Sequence, residues 1–263
     1  MPRRLAYLLP IVLTFCSLLA RAEEWRKTYN VAGTPELNVD TNDGEIRVHA
    51  SDRKDIEAVV TVTGEKIGPS GVRITDAQQG NSVSLTVKLP NHWGIQWHRR
   101  IVRIEIETPR EANLKLHSGD GNVRVFEVKG ALRIETGDGD VETAGTDGSL
   151  QAHTGDGNIR VDGVYMALDL QTGDGNISAE AKQGSKMDSR WALRSGDGNI
   201  ELRLPENFSA EVDAHTGDGH IELDFPVMVN GSVRESTIRG TINAGGQVLE
   251  LRSGDGNITL RRT

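Results

Sequence analysis

This chain of 263 residues is short of the side chains that fill a large globular core. It has one cysteine, Cys16, and only four tryptophans, three tyrosines and four phenylalanines, so aromatics make up 4%. A lone cysteine excludes an intrachain disulfide framework and a thiolate metal site. Few aromatics leave β-branched and aliphatic residues to fill a thin core. Beyond the first 20 residues no apolar run is long enough to cross a membrane as a helix. Positive charge is also in deficit, with 30 Lys and Arg against 38 Asp and Glu. An acidic chain lacks the positive field that nucleic acid or an anionic membrane requires. Glycine, at 30 residues, is plentiful.

The N-terminus reads as a targeting segment. Arg3 and Arg4 precede a largely apolar stretch from Leu8 to Ala20, and Ala20-Arg21-Ala22 offers a small-x-small cleavage site. Residues 1–22 are therefore expected to be a secretory signal peptide. Cys16 would be the anchor of a lipoprotein, but Phe15 stands where that processing needs a small residue. Taking Arg3, Arg4 and Arg21 from the 30 basic residues leaves 27 against 38, a net charge of −11, and no cysteine. The expected location is outside the cytoplasm: periplasm, cell surface or medium.

Internal repetition carries the fold. A hexamer recurs as SGDGNV from Ser118, TGDGDV from Thr136 and TGDGNI from Thr154 and Thr172. It returns as SGDGNI from Ser195, TGDGHI from Thr216 and SGDGNI from Ser253, with a degenerate TNDGEI at Thr41. Each copy lies between short apolar–polar alternations, such as Leu116-His117-Ser118 before and Val123-Arg124-Val125 after. Period-two alternation predicts half-buried strands. Glycines on both sides of an aspartate predict a tight corner with access to positive φ. Insertions between copies fall between Ile177 and Leu193 and between Ile200 and Val212, away from the Gly-Asp-Gly corner. The 37-residue interval from Thr216 to Ser253 fits either one coil with an insert or two coils with one motif lost.

Two topologies fit this unit. An antiparallel meander would set equivalent residues two strands apart, whereas a parallel solenoid stacks them at about 4.8 Å. Stacking accounts for the alternating outward charges Arg124, Glu142 and Arg160. The expected architecture is an all-β, parallel and right-handed β-solenoid with two-strand coils of about 18 residues. Residues 23–113 are expected to supply an N-terminal β cap and early strands, and 114–263 the Gly-Asp-Gly repeat, as one continuous domain. Strand candidates in the first part are Leu37–Val39, Ile56–Val62, Val83–Leu89 and Ile101–Ile106.

The serial [ST]-G-D-G-[ND]-[IV] strands, the Thr108-Pro109 and Leu204-Pro205 steps and the closing GGQVLELRSGDGNITL from Gly245 resemble the bacterial "putative adhesin" family of β-strand-repeat proteins. The resemblance covers Glu23 to Thr263. It implies a β-solenoid at or beyond the cell envelope, in a family whose function is itself unknown, and it brings no catalytic residues.

The column Asp120, Asp138, Asp156, Asp174, Asp197, Asp218 and Asp255 should line one edge. Carboxylates in a row could hold calcium, but the spacing differs from calcium-binding nonapeptide turns. The alternative is that each aspartate caps its own turn by accepting backbone N–H groups. Asn122, Asn158, Asn176, Asn199 and Asn257 could form an amide ladder or meet sugar hydroxyls. His117 and His153 share an outward position with the Glu135 coil between them, too far apart for one metal. Candidate binding residues are Trp93, Trp97, His98, Arg99 and Arg100, because Trp and Arg dominate binding hot spots; the competing explanation is a β-bulge or cap loop covering the end of the core. No cofactor or metal is implied beyond that calcium option. The residues favour a non-enzymatic adhesion, interaction or structural envelope protein, with an envelope protein or a glycan as partner. Alternatives are a glycan-active β-helix enzyme and a calcium-stabilised scaffold.

Overall fold

The computed structural model describes residues 22–90, 100–229 and 236–263. Trp93, Trp97, His98 and Arg99, and all but the last residue of the expected leader, lie outside the described residues. Within these bounds the chain forms 21 strands, β1 to β21, and no helix. Alternation is the local cause: β4 (Asp55–Thr63) buries every second residue without a break. A strand that turns one face inward and one outward places successive residues on opposite faces.

The strands form two long ladders. The strands that lead into a corner run in the order β5 (Arg73–Gln79), β6 (Ser82–Lys88), β2 (Glu36–Thr41), β8 (Asn113–Ser118) and β10 (Lys129–Thr136). They continue through the second halves of β11 (Val141–Thr154) and β12 (Ile159–Thr172) to β14 (Trp191–Ser195), β20 (Val248–Ser253), β16 (Ala210–Thr216), β19 (Thr237–Ile242) and β18 (Val227–Val229).

Strands that leave a corner run β1 (Glu23–Asn30), β4, β7 (Ile101–Pro109), β3 (Glu45–Ser51) and β9 (Val123–Phe126). The first halves of β11 and β12 follow, then β13 (Ile177–Ala181), β15 (Ile200–Leu204), β21 (Ile258–Arg262) and β17 (Ile221–Leu223). Every pairing from β6 to β16 and from β7 to β17 is parallel, which excludes the meander. The register places Leu114, Leu132 and Leu150 one above another. Antiparallel strands lie only toward the ends, where β5, β4 and β1 flank one side and β19 and β18 the other.

Between the ladders lies a single core of Val, Leu, Ile and Ala, drawn from residues on both sides of position 113. Aromatics enter it beside the two insertions. Trp191 is fully buried, 6.4 Å edge-on to Tyr165 and 5.1 Å from Phe208. Burial pushes the Tyr165 hydroxyl up to about 12. At one end Lys27 pairs with Asp76 at 2.5 Å and Gln78 Nε2 donates to Asn30 O at 2.7 Å, joining β1 to β5 across the two ladders.

The stacking order departs from the chain order at both ends. The Thr41 coil does not open the stack. It sits between β6/β7 and β8/β9. Likewise the last coil, around Ser253, lies between the Ser195 and Thr216 coils. The long interval thus holds one coil followed by β18 and β19. Because β19 pairs antiparallel with the outer edge of β16, that edge is occupied, and the closing coil occupies the other. Asp213 binds this arrangement together: it pairs with Arg252 on β20 at 2.8 Å and Arg239 on β19 at 3.3 Å. Its hydrogen bond from Arg252 holds the carboxyl below its ordinary range, against the opposing effect of partial burial.

Outward positions test this order directly. Arg194, Arg252 and His215 occupy consecutive strands, and adjacent parallel strands lie about 4.8 Å apart, within the Cα separation a disulfide spans. Oxidised Arg194→Cys/Arg252→Cys should give an intrachain disulfide, and Arg194→Cys/His215→Cys should not. The mobility of each variant on non-reducing gels reads the result.

Candidate functional site

The Gly-Asp-Gly corner is built by three ladders that follow the stack. In the first, each leading glycine N–H donates to a carbonyl of the coil beneath. Gly119 N donates to Thr41 O at 3.0 Å, Gly155 N to Gly137 O at 2.5 Å, Gly254 N to Gly196 O at 2.6 Å and Gly217 N to Gly254 O at 2.6 Å. The second is made by the buried Ser or Thr hydroxyl. Thr154 Oγ1 donates to Gly139 O at 2.8 Å, and its oxygen accepts Gly157 N–H at 3.2 Å, within its own corner. Ser118, Thr172, Ser195, Ser253 and Thr216 repeat both bonds.

The third is the expected amide ladder. Asn158 Oδ1 accepts Asn176 N–H, Asn176 Oδ1 accepts Asn199 N–H and Asn199 Oδ1 accepts Asn257 N–H, all at 2.9–3.0 Å. Asp140 takes the asparagine's place in its coil and accepts Asn158 N–H at 2.8 Å.

This construction corrects two expectations. No glycine of the seven full motifs has positive φ. They are glycines because the coils approach so closely: a Cβ on Gly155 would lie 2.7 Å from Gly137 O, and one on Gly157 closer still to Gly139 O. Nor do the aspartates form the turn by accepting hydrogen bonds. All seven, Asp120 to Asp255, are exposed, and in six of the seven corners the N–H two residues on, which an Asx turn would claim, donates to the Asn or Asp side chain of the neighbouring coil. The carboxylates line one edge, as the spacing predicts, and face solvent. Asn42 stands in place of the first glycine in the Thr41 copy, and its amide exchanges two bonds with the backbone of Leu89.

On the outer faces, Arg124 bridges Glu45 and Glu142, the latter at 3.1 Å. His117 and His153 lie on either side of Glu135, as expected. Among the described residues no three His, Cys, Asp or Glu gather as a metal site. Arg100 is half-buried, and its guanidinium donates to Pro90 O at 2.9 Å. The two residues flank the segment holding Trp93 and Trp97. In the register, Val87 aligns with Thr41.

The feature that sequence reading missed lies at the far edge of the corner-entering strands. A trough of about 750 Å³ crosses β6, β2, β8, β10, β11 and β12. One side is a column in which Ser82, Ala131, Ser149 and Ala167 are short, with Glu36 and Asn113 between Ser82 and Ala131; the other carries Asn38, Lys115, Arg133, Gln151 and Asp169. Arg133 donates to Gln151 at 3.0 Å and pairs with Glu135. Arg190, from the first insertion, lies at its end. Recurrence of small residues at Ala131, Ser149 and Ala167, one repeat apart, was the available signal.

The Toastrack DUF4097 family profile matches residues 34–188 and again 112–261. The chain belongs to this family. The two overlapping matches to the Toastrack family span both portions of the molecule. Among curated proteins none matches. Solved structures resembling this Toastrack chain include a putative cell adhesion protein from Clostridium sporogenes, with 12% identity and a TM-score of 0.45, covering 92% of this chain and 100% of that one. A putative adhesin from Bacteroides fragilis aligns at 13% and 0.48, over 92% and 97%. A putative lipid binding protein from Parabacteroides distasonis aligns at 10% and 0.42, over 90% and 96%. At these identities the names say nothing of what this chain binds. No helix among the described residues is long and apolar enough to cross a membrane.

Two measurements follow from the corner. Gly157→Ala and Gly157→Asn should destabilise alike, by about 1–3 kcal/mol in urea unfolding, because the obstacle is a carbonyl and not a left-handed backbone. Since the carboxylates hold no part of the turn, thermal melting should coincide in chelator and in millimolar calcium.

Proposed function

We propose that this Toastrack protein is an exported, non-enzymatic interaction or adhesion module of the cell envelope that holds an extended partner along the trough. The trough itself carries the reading. It crosses six strands and presents polar side chains at one-strand intervals. A catalytic site converges different groups on one point, whereas this surface repeats similar ones along a line, as suits an extended ligand. The partner chemistry it supports is a glycan chain or an extended segment of an envelope protein, met by Asn38, Gln151, Lys115, Arg133 and Asp169. The fold reading that goes with it is a right-handed stack of 18-residue coils, opened by residues 23–113 acting as cap and early strands after loss of residues 1–22. Trp93, Trp97, His98, Arg99 and Arg100 are the second contact surface in this proposal.

Capture from envelope fractions by the mature chain tests it. Ser149→Trp fills the trough from an outward position, and Trp93→Ala with Trp97→Ala removes the second surface. Each should weaken capture by about tenfold or more, the scale of a hot-spot loss, with melting unchanged. Capture at the unmodified level by both variants rejects these surfaces. Treating the fractions with protease or with periodate beforehand separates a protein partner from a glycan.

A further inference from the structure

The corner places an aspartate directly before a glycine in eight stacked coils, and Asp-Gly is the dipeptide most open to attack on its own side chain. The Gly nitrogen adds to Asp Cγ, its hydrogen leaves with a carboxyl oxygen as water, and a five-membered succinimide forms. Hydrolysis at one of the two ring carbonyls restores aspartate; at the other it gives isoaspartate, with the chain continuing through the side-chain carboxyl. Nothing but water is exchanged. Glycine, lacking a Cβ, offers the least hindrance to that approach.

The fold treats the eight sites differently. In six of them the Gly N–H donates inward to the buried hydroxyl of its own corner: Gly121 to Ser118, Gly157 to Thr154, Gly175 to Thr172, Gly198 to Ser195, Gly219 to Thr216 and Gly256 to Ser253, at 2.9–3.2 Å. The carboxylate in each faces solvent on the other side. Ring closure must turn the Asp–Gly peptide plane outward, which breaks that bond and leaves a buried hydroxyl without its donor. Two corners lack the clamp. Thr41 Oγ1 is buried with no hydrogen-bond partner, so Gly44 N–H is not held by it. Thr136 Oγ1 donates to Gly119 O and Gly121 O but accepts nothing from Gly139. Asp43 and Asp138 are both exposed.

We infer that, among the eight corner Asp-Gly pairs, Asp43 and Asp138 are the positions that convert to isoaspartate, and that the hydroxyl clamp shields the other six. They are accordingly the corners that a protein-isoaspartate methyltransferase would modify in the aged protein, using the new α-carboxylate as acceptor. The inference is independent of what the trough binds.

The test incubates the full folded chain at neutral pH, then locates isoaspartate in its digest by electron-transfer fragmentation. Methyl transfer from S-adenosylmethionine measures the total. Conversion at Asp43 and Asp138 should exceed that at each clamped site by about fivefold or more, the rate factor that one hydrogen bond commands. In urea all eight should convert at similar rates. Equal conversion in the folded chain, or none at Asp43 and Asp138, overturns the inference, as does the same bias in urea, which would assign it to sequence. Thr154→Val should bring Asp156 up to the rate of Asp138 in a chain whose melting shows that it is folded. Should that variant not fold, the comparison within the unaltered chain decides alone.

Discussion

Everything regular in this molecule depends on how closely one corner sits on the next. The leading glycine of each coil touches a carbonyl oxygen of the coil beneath through its own N–H, at 2.5–2.6 Å along most of the stack. At that distance no Cβ fits at either glycine of the motif. The same closeness brings a buried Ser or Thr hydroxyl within reach of the neighbouring coil's second-glycine carbonyl and lets asparagine reach the next backbone amide. A hydroxyl both donates and accepts, so one buried atom serves two coils at once. Leaving its partners unpaired would cost more than the bond contributes, since a buried N–H or C=O without a partner bears its full desolvation penalty. The corner can therefore be copied, but it tolerates few variants.

That rigidity confines variation elsewhere. Backbone groups are used along the ladders, so variation is left to outward side chains and to the edge away from the corner. Both insertions enter there, and one delivers Arg190 to the trough. Along the trough the side chains change from coil to coil, Lys115 to Arg133 to Gln151 to Asp169, while the leucines beneath them stay the same. A fixed inner column with a varied outer one is what a scaffold needs to present a specific surface without disturbing its core.

The ends show how much the pattern left undetermined. Leu37–Val39, Ile56–Val62, Val83–Leu89 and Ile101–Ile106 were all recognisable as strands from period-two alternation. β1, β5, β18 and β19 were not, because strands at or near an edge bury less and alternate weakly; β5 has no fully buried residue. The asparagine ladder was legible, since a repeated amide at one strand position has few other uses. The division of labour inside the corner was not. Aspartate, serine and threonine can all accept a backbone N–H after a turn, and only the inward or outward direction of each side chain shows that the hydroxyl does so and the carboxylate stays free.

The sequence by itself determined the strands of the repeat and its corner, and it favoured the parallel stacking of equivalent residues, because a strict repeat leaves identical side chains no better neighbours than one another. It could not determine which coil follows which. Seven near-identical corners are interchangeable as neighbours, so local pairing energy does not distinguish Ser195 on Ser253 from Ser195 on Thr216. The tertiary structure decides this at the ends: β19 occupies the outer edge of β16, and the last coil enters on its inner side. The trough was likewise a tertiary outcome, since small residues 18 positions apart become a surface only when the strands that carry them lie side by side.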